Sequence, residues 1–89
     1  MKISNEKREK ISEQILAILF SVSPKSLFTA HIAKEIARDE EFVKSLLIKL
    51  KEKKFIVKIT KNPKGKDYLR RSRWKLSELT YQVYKNKQI

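Results

Sequence analysis

The sequence predicts a mainly α-helical α+β domain with one small β-hairpin, in the order helix, short strand, helix, helix, strand, strand, helix. Three observations carry that prediction. Apolar residues recur at helical spacing in four separate stretches. The period drops to two over residues 55–59, where Phe55, Val57 and Ile59 alternate with Ile56 and Lys58. Between that run and a second one starting at Tyr68 lies Asn62-Pro63-Lys64-Gly65-Lys66-Asp67, dense in turn formers and holding the only glycine.

The first helix is expected over residues 5–22, with Ile11, Ile15, Ile18, Leu19 and Val22 as its buried stripe. Ser23-Pro24 ends it, because proline cannot donate to the helical ladder. Leu16 and Phe20 fall beside or opposite the stripe, to be covered by another element or by a second copy. Leu27-Phe28 reads as a short extended piece. Thr29 is then placed to cap a helix over 30–37, with Ile32, Ala33, Ile36 and Ala37 inward. Asp39 caps a third helix over 40–53, whose core residues are Val43, Leu46, Leu47 and Leu50. A hairpin over 55–75 follows, its return strand carrying Trp74 on one face and Arg71 and Arg73 on the other. Ser77 caps a last helix over 78–87, with Leu79 and Val83 expected inward. The 89 residues are expected to form one domain.

Charge is distributed very unevenly. Residues 44–75 hold thirteen basic residues against Glu52 and Asp67, so this segment nets 13 − 2 = +11 of the chain's +12. Residues 1–43 carry seven basic and seven acidic groups and net zero. Such clustering builds a directional field that draws a polyanion to one face. The absence of cysteine excludes disulfides and thiolate metal sites. The longest apolar run, residues 15–20, is far short of the ~20 residues of a membrane span. No signal-peptide pattern follows Met1, and a soluble cytoplasmic protein without membrane contact is expected. His31, the single histidine, has no neighbouring ligand in sequence, so neither metal nor other cofactor is expected. Glu52-Lys53-Lys54 echoes half of a nuclease motif but lacks its upstream acid, and the chain reads as a non-enzyme.

The run Ala33-Lys34-Glu35-Ile36, Val43, Leu46-Leu47-Ile48-Lys49-Leu50 and Phe55-Ile56, followed by Arg73-Trp74-Lys75-Leu76-Ser77-Glu78-Leu79, resembles winged helix-turn-helix domains. It is most similar in pattern to MarR- and PadR-like archaeal and bacterial regulators, over residues 27–84. Lys54 and Ala37 stand where those proteins usually have glycine, and Asp39, Glu40 and Glu41 open the helix that would face DNA. The resemblance implies a small transcriptional regulator binding double-stranded DNA, sequence-specifically or architecturally. Its third helix would enter the major groove while a basic wing lies on backbone or minor groove. RNA or ribosome binding by the same fold and docking of the third helix on a protein partner are the alternatives.

On that helix the outer face centres on Glu41, Ser45, Ile48 and Glu52, flanked by Lys44 and Lys49. Lys44, Ser45, Ile48 and Lys49 are the candidate contacts there. Glu41 reads either as a complement to the helix dipole or as an acceptor for a cytosine amino group. On the hairpin the candidates are Lys61, Lys64, Lys66, Arg70, Arg71 and Arg73, since arginine suits phosphate forks and narrow minor grooves. The resemblance also implies a homodimer, for which Leu16, Phe20, Tyr81 and Tyr84 are interface candidates, with packing inside one chain as the alternative.

Overall fold

The computed structural model describes residues 5–61, 64–65 and 72–87. Among them are four helices and a three-stranded sheet: α1 (Asn5–Val22), β1 (Leu27–Phe28), α2 (Thr29–Glu35), α3 (Glu40–Glu52), β2 (Ile56–Ile59), β3 (Arg73–Leu76) and α4 (Glu78–Asn86). The sheet order is β1-β3-β2, antiparallel throughout. Leu27 pairs with Trp74 and Phe28 with Arg73 on one side of β3; Ile56 pairs with Leu76 and Lys58 with Trp74 on the other. The predicted class and element order hold.

One core joins all of this. α1 contributes Ile11, Ile15, Leu16 and Leu19, α2 Ile32 and Ala33, α3 Val43, Leu46, Leu47 and Leu50, and the sheet Ile56, Trp74 and Leu76. Each fully buried aliphatic side chain here is worth about 1.5–3 kcal/mol of transfer free energy. Trp74 faces inward as expected, and its indole Nε1 donates to Thr29 Oγ1 at 2.8 Å in a buried bond. Without that acceptor a buried N–H would stand unsatisfied.

Several local expectations are corrected. Thr29 does not cap α2; Phe28 occupies the cap position without a side-chain bond, and the Thr29 hydroxyl is spent on Trp74. In β2, where alternation left the inward face open, Ile56 is buried opposite the buried Leu76, while Val57 and Lys58, like the preceding Phe55, are exposed. In α1 the buried set includes Leu16, whereas Ile18 and Val22 are only half-buried. Ala37 is exposed beyond the end of α2. α4 is turned from its expected orientation: Leu79 is 76% exposed and Val83 46%. Its inward residues are Tyr81 and Tyr84, whose rings lie 5.6 and 5.5 Å from that of Phe20 on α1. Burial, with the nearby Glu13 carboxylate, raises the Tyr84 phenol above the ordinary tyrosine value.

Two helix ends share one device. Ala37 (φ 53°) and Lys54 (φ 65°) adopt left-handed backbone just after α2 and α3. At the first, Arg38 N–H donates to the Ala33 carbonyl and Ala37 N–H to that of Lys34; at the second, Phe55 N–H donates to Leu50 and Lys54 N–H to Lys51. These are paired Schellman closures, normally built with glycine. The residues standing where the resembling proteins have glycine thus take up the glycine conformation, at a cost of about 1–2 kcal/mol each.

Candidate nucleic-acid interface

α3 begins on a side-chain cap, the Asp39 carboxylate accepting from Phe42 N–H at 3.2 Å. Its core face buries Val43, Leu46, Leu47 and Leu50, so a helical period forces Glu41, Lys44, Ser45, Ile48 and Lys49 outward, and all five are exposed. Ile48 is 41% exposed, a large apolar side chain on an otherwise polar surface. The Ser45 hydroxyl donates to the Phe42 carbonyl of its own helix at 2.6 Å.

The hairpin stands next to this helix. Lys61 and Lys64 are exposed. Lys58 Nζ sits 5.9 Å from the Trp74 ring centroid, its charge over the π face. The Arg73 guanidinium lies 5.0 Å from the Phe28 ring centroid, which fixes its stem against β1. Lys66, Arg70 and Arg71 lie outside the described residues, as does Tyr68.

Between α3 and the base of the hairpin runs a cleft of about 570 Å³, lined by Phe28, Thr29, Ala30, His31, Glu40, Glu41, Lys44 and Ser72. Its back wall is tied together: β1 is paired to β3, Thr29 N–H donates to the Ser72 carbonyl at 3.3 Å, and the Thr29 hydroxyl accepts from Trp74. His31 and Ser72 had no signal in the sequence as parts of this surface. Only the turn between α2 and α3, which sets the starts of both helices side by side, brings His31 there, where its Nε2 lies 3.7 Å from Glu35. Among the described residues no group of three or more His, Cys, Asp or Glu side chains is placed to hold a metal ion. No helix among them is long and apolar enough to cross a membrane.

The structure therefore brings Lys44, Ser45, Ile48 and Lys49 together on one exposed face, with Lys61, Lys64 and Arg73 on the adjoining hairpin. The four residues named for an interface between copies make contacts within the chain. Leu16 is 9% exposed, and Phe20, Tyr81 and Tyr84 stack within the chain. What α4 leaves open is Leu79 and Val83.

This arrangement has close counterparts among solved structures. S. aureus MepR in complex with DNA superimposes with a TM-score of 0.74 at 21% identity, over 92% of this chain and 64% of MepR. The fold is a winged helix-turn-helix. An apo-form mutant of Lactococcus lactis ZitR matches at TM-score 0.64 and 23% identity, over 92% of this chain and 59% of that one. The transcriptional regulator PcaV from Streptomyces coelicolor, in complex with its natural ligand, matches at 0.58 and 16%, over 92% and 51%. The winged-helix chain thus spans between half and two thirds of the length of these neighbours. No protein-family model and no curated protein matches it by sequence.

Proposed function

We propose that this winged helix binds double-stranded DNA as a transcriptional regulator, with α3 in the major groove and the hairpin on the adjacent backbone or minor groove. One observation carries the reading. α3 balances Lys44, Lys49 and Lys51 against Glu40, Glu41 and Glu52, so the excess positive charge of residues 44–75 falls on the turn after α3 and on the hairpin, the wing that a winged helix-turn-helix lays against a duplex beside its third helix. Likeness in fold to MepR, which has been crystallised with DNA, supports it. Lys44 and Lys49 on α3 and Lys61, Lys64, Lys66, Arg70, Arg71 and Arg73 on the hairpin are the phosphate contacts in this reading. Ser45 and Ile48 face the bases.

A homodimer is part of the proposal, because paired half-sites suit a two-fold protein. Leu79 and Val83 join Leu16, Phe20, Tyr81 and Tyr84 as the apolar region from which its interface is drawn.

The test is fluorescence anisotropy of a labelled duplex at three salt concentrations, with an RNA hairpin measured alongside. With about 5–8 phosphates neutralised, log affinity is expected to fall against log salt with a slope of about −0.9 per contact. Tighter binding to the RNA hairpin at matched salt would move the reading to RNA. Failure to bind either at low salt would leave protein docking through α3 as the function to pursue.

A further inference from the structure

We infer that the exposed stripe of α3 reads bases through acceptors alone: Glu41 and Ser45 select an amino group in the major groove, on cytosine or adenine, and Ile48 meets a thymine methyl next to them. This rests on the DNA-binding reading and adds to it the chemistry of the preferred sequence.

Glu41, Ser45 and Ile48 follow one another at i, i+4 and i+7, so they form a single row along the face opposite the buried Val43, Leu47 and Leu50. Capping does not require Glu41, since Asp39 already accepts from Phe42 N–H. Glu40 and Asp39 already place negative charge at the helix start. Among the described residues the Glu41 carboxylate takes part in no hydrogen bond or ion pair, and the residue lines the cleft together with Lys44. Ser45 has one hydroxyl hydrogen, and it is committed to the Phe42 carbonyl at 2.6 Å. With the hydrogen so used, the oxygen offers its lone pairs to an outside donor.

Two acceptors in a row have a definite counterpart. In the major groove guanine offers acceptors at N7 and O6 and thymine an acceptor at O4, while only cytosine N4 and adenine N6 carry donors. A guanine edge opposite Glu41 would set acceptor against carboxylate. The carboxylate also repels phosphates, so it weakens binding to every sequence and favours only one that supplies an amino group in register. Such an element sharpens discrimination at the expense of affinity. Beyond Ser45 the row ends in Ile48, whose apolar surface fits a methyl group.

The experiment is selection from a random duplex pool with the full chain and with two variants, Glu41→Gln and Ser45→Ala, each checked by circular dichroism for retained helix. The wild-type motif is expected to carry cytosine or adenine at two neighbouring positions, with thymine next to them. Glu41→Gln is expected to move one of those positions to adenine, because a glutamine amide pairs with adenine N6 and N7. Ser45→Ala should lower discrimination at the other position, on the order of tenfold. A motif identical in all three proteins, or no motif from a pool that the wild type retains, overturns the inference and leaves DNA binding standing. Retention of no duplex at all by the wild type removes the DNA-binding reading itself and the inference with it.

Discussion

α3 and α4 are both amphipathic, and both start on a side-chain cap, Asp39 accepting from Phe42 N–H and Ser77 from Thr80 N–H. The fold uses them in opposite ways. α3 sinks four residues into the core and turns the row Glu41, Ser45 and Ile48 outward, so its orientation is set by its packed face. α4 has no fully buried residue, is held by two tyrosines stacked on Phe20, and leaves Leu79 and Val83 in the open. A helix that must present side chains to a partner with ångström accuracy is built on a packed face. A helix with spare apolar surface is one that the fold has only half employed. In sequence the two look alike; the difference is made by what stands opposite each.

The comparison can be broken most strongly at Leu47, which is completely buried. Leu47→Ala is expected to destabilise the domain by about 2–5 kcal/mol in urea denaturation, through lost transfer energy and the cavity left behind. Thr29→Val tests the wall that carries the hairpin next to α3. It leaves the Trp74 indole N–H buried without an acceptor and should cost about 1–3 kcal/mol, with Thr29→Ser retaining most of the stability. The two helix ends respond with the opposite sign. Ala37→Gly and Lys54→Gly each relieve a left-handed non-glycine residue and should each stabilise by about 1 kcal/mol, read as a rise in Tm of roughly 4–8 °C. The smallest effect is expected on α4, where Leu79→Ser should change monomer stability by less than about 0.5 kcal/mol. If the exposed face of α4 joins two copies, the same substitution lowers the apparent mass in sedimentation at micromolar protein.

What was legible in the sequence was whatever depends on close neighbours. The caps at Asp39 and Ser77 act over three residues, and both hold. The buried face of α3 is a single stripe of four aliphatic residues on a charged background, so its orientation had one solution. Over residues 55–59, by contrast, Phe55, Ile56, Val57 and Ile59 place apolar residues on both faces, and alternation alone carries no sign. The pairing of Ile56 with Leu76 supplies it. α4 offered two apolar stripes, Leu79 with Val83 and Tyr81 with Tyr84. The choice between them is made by Phe20, on a helix at the other end of the chain. The Thr29–Trp74 bond, spanning 45 residues, had no local trace either. Of the candidate interface, α3 was readable because its inside was; His31 and Ser72 were not, because only the assembled cleft makes them neighbours.

The strand that is last in sequence is the central one of the sheet. β3 lies between β1 and β2, which do not pair with one another, so a chain ending at Ile59 has two short strands and nothing to join them. Such a chain holds the sequence of three helices and lacks the Trp74 and Leu76 share of the interior. Closure of the sheet therefore depends on residues 73–76, which alone join its two edges.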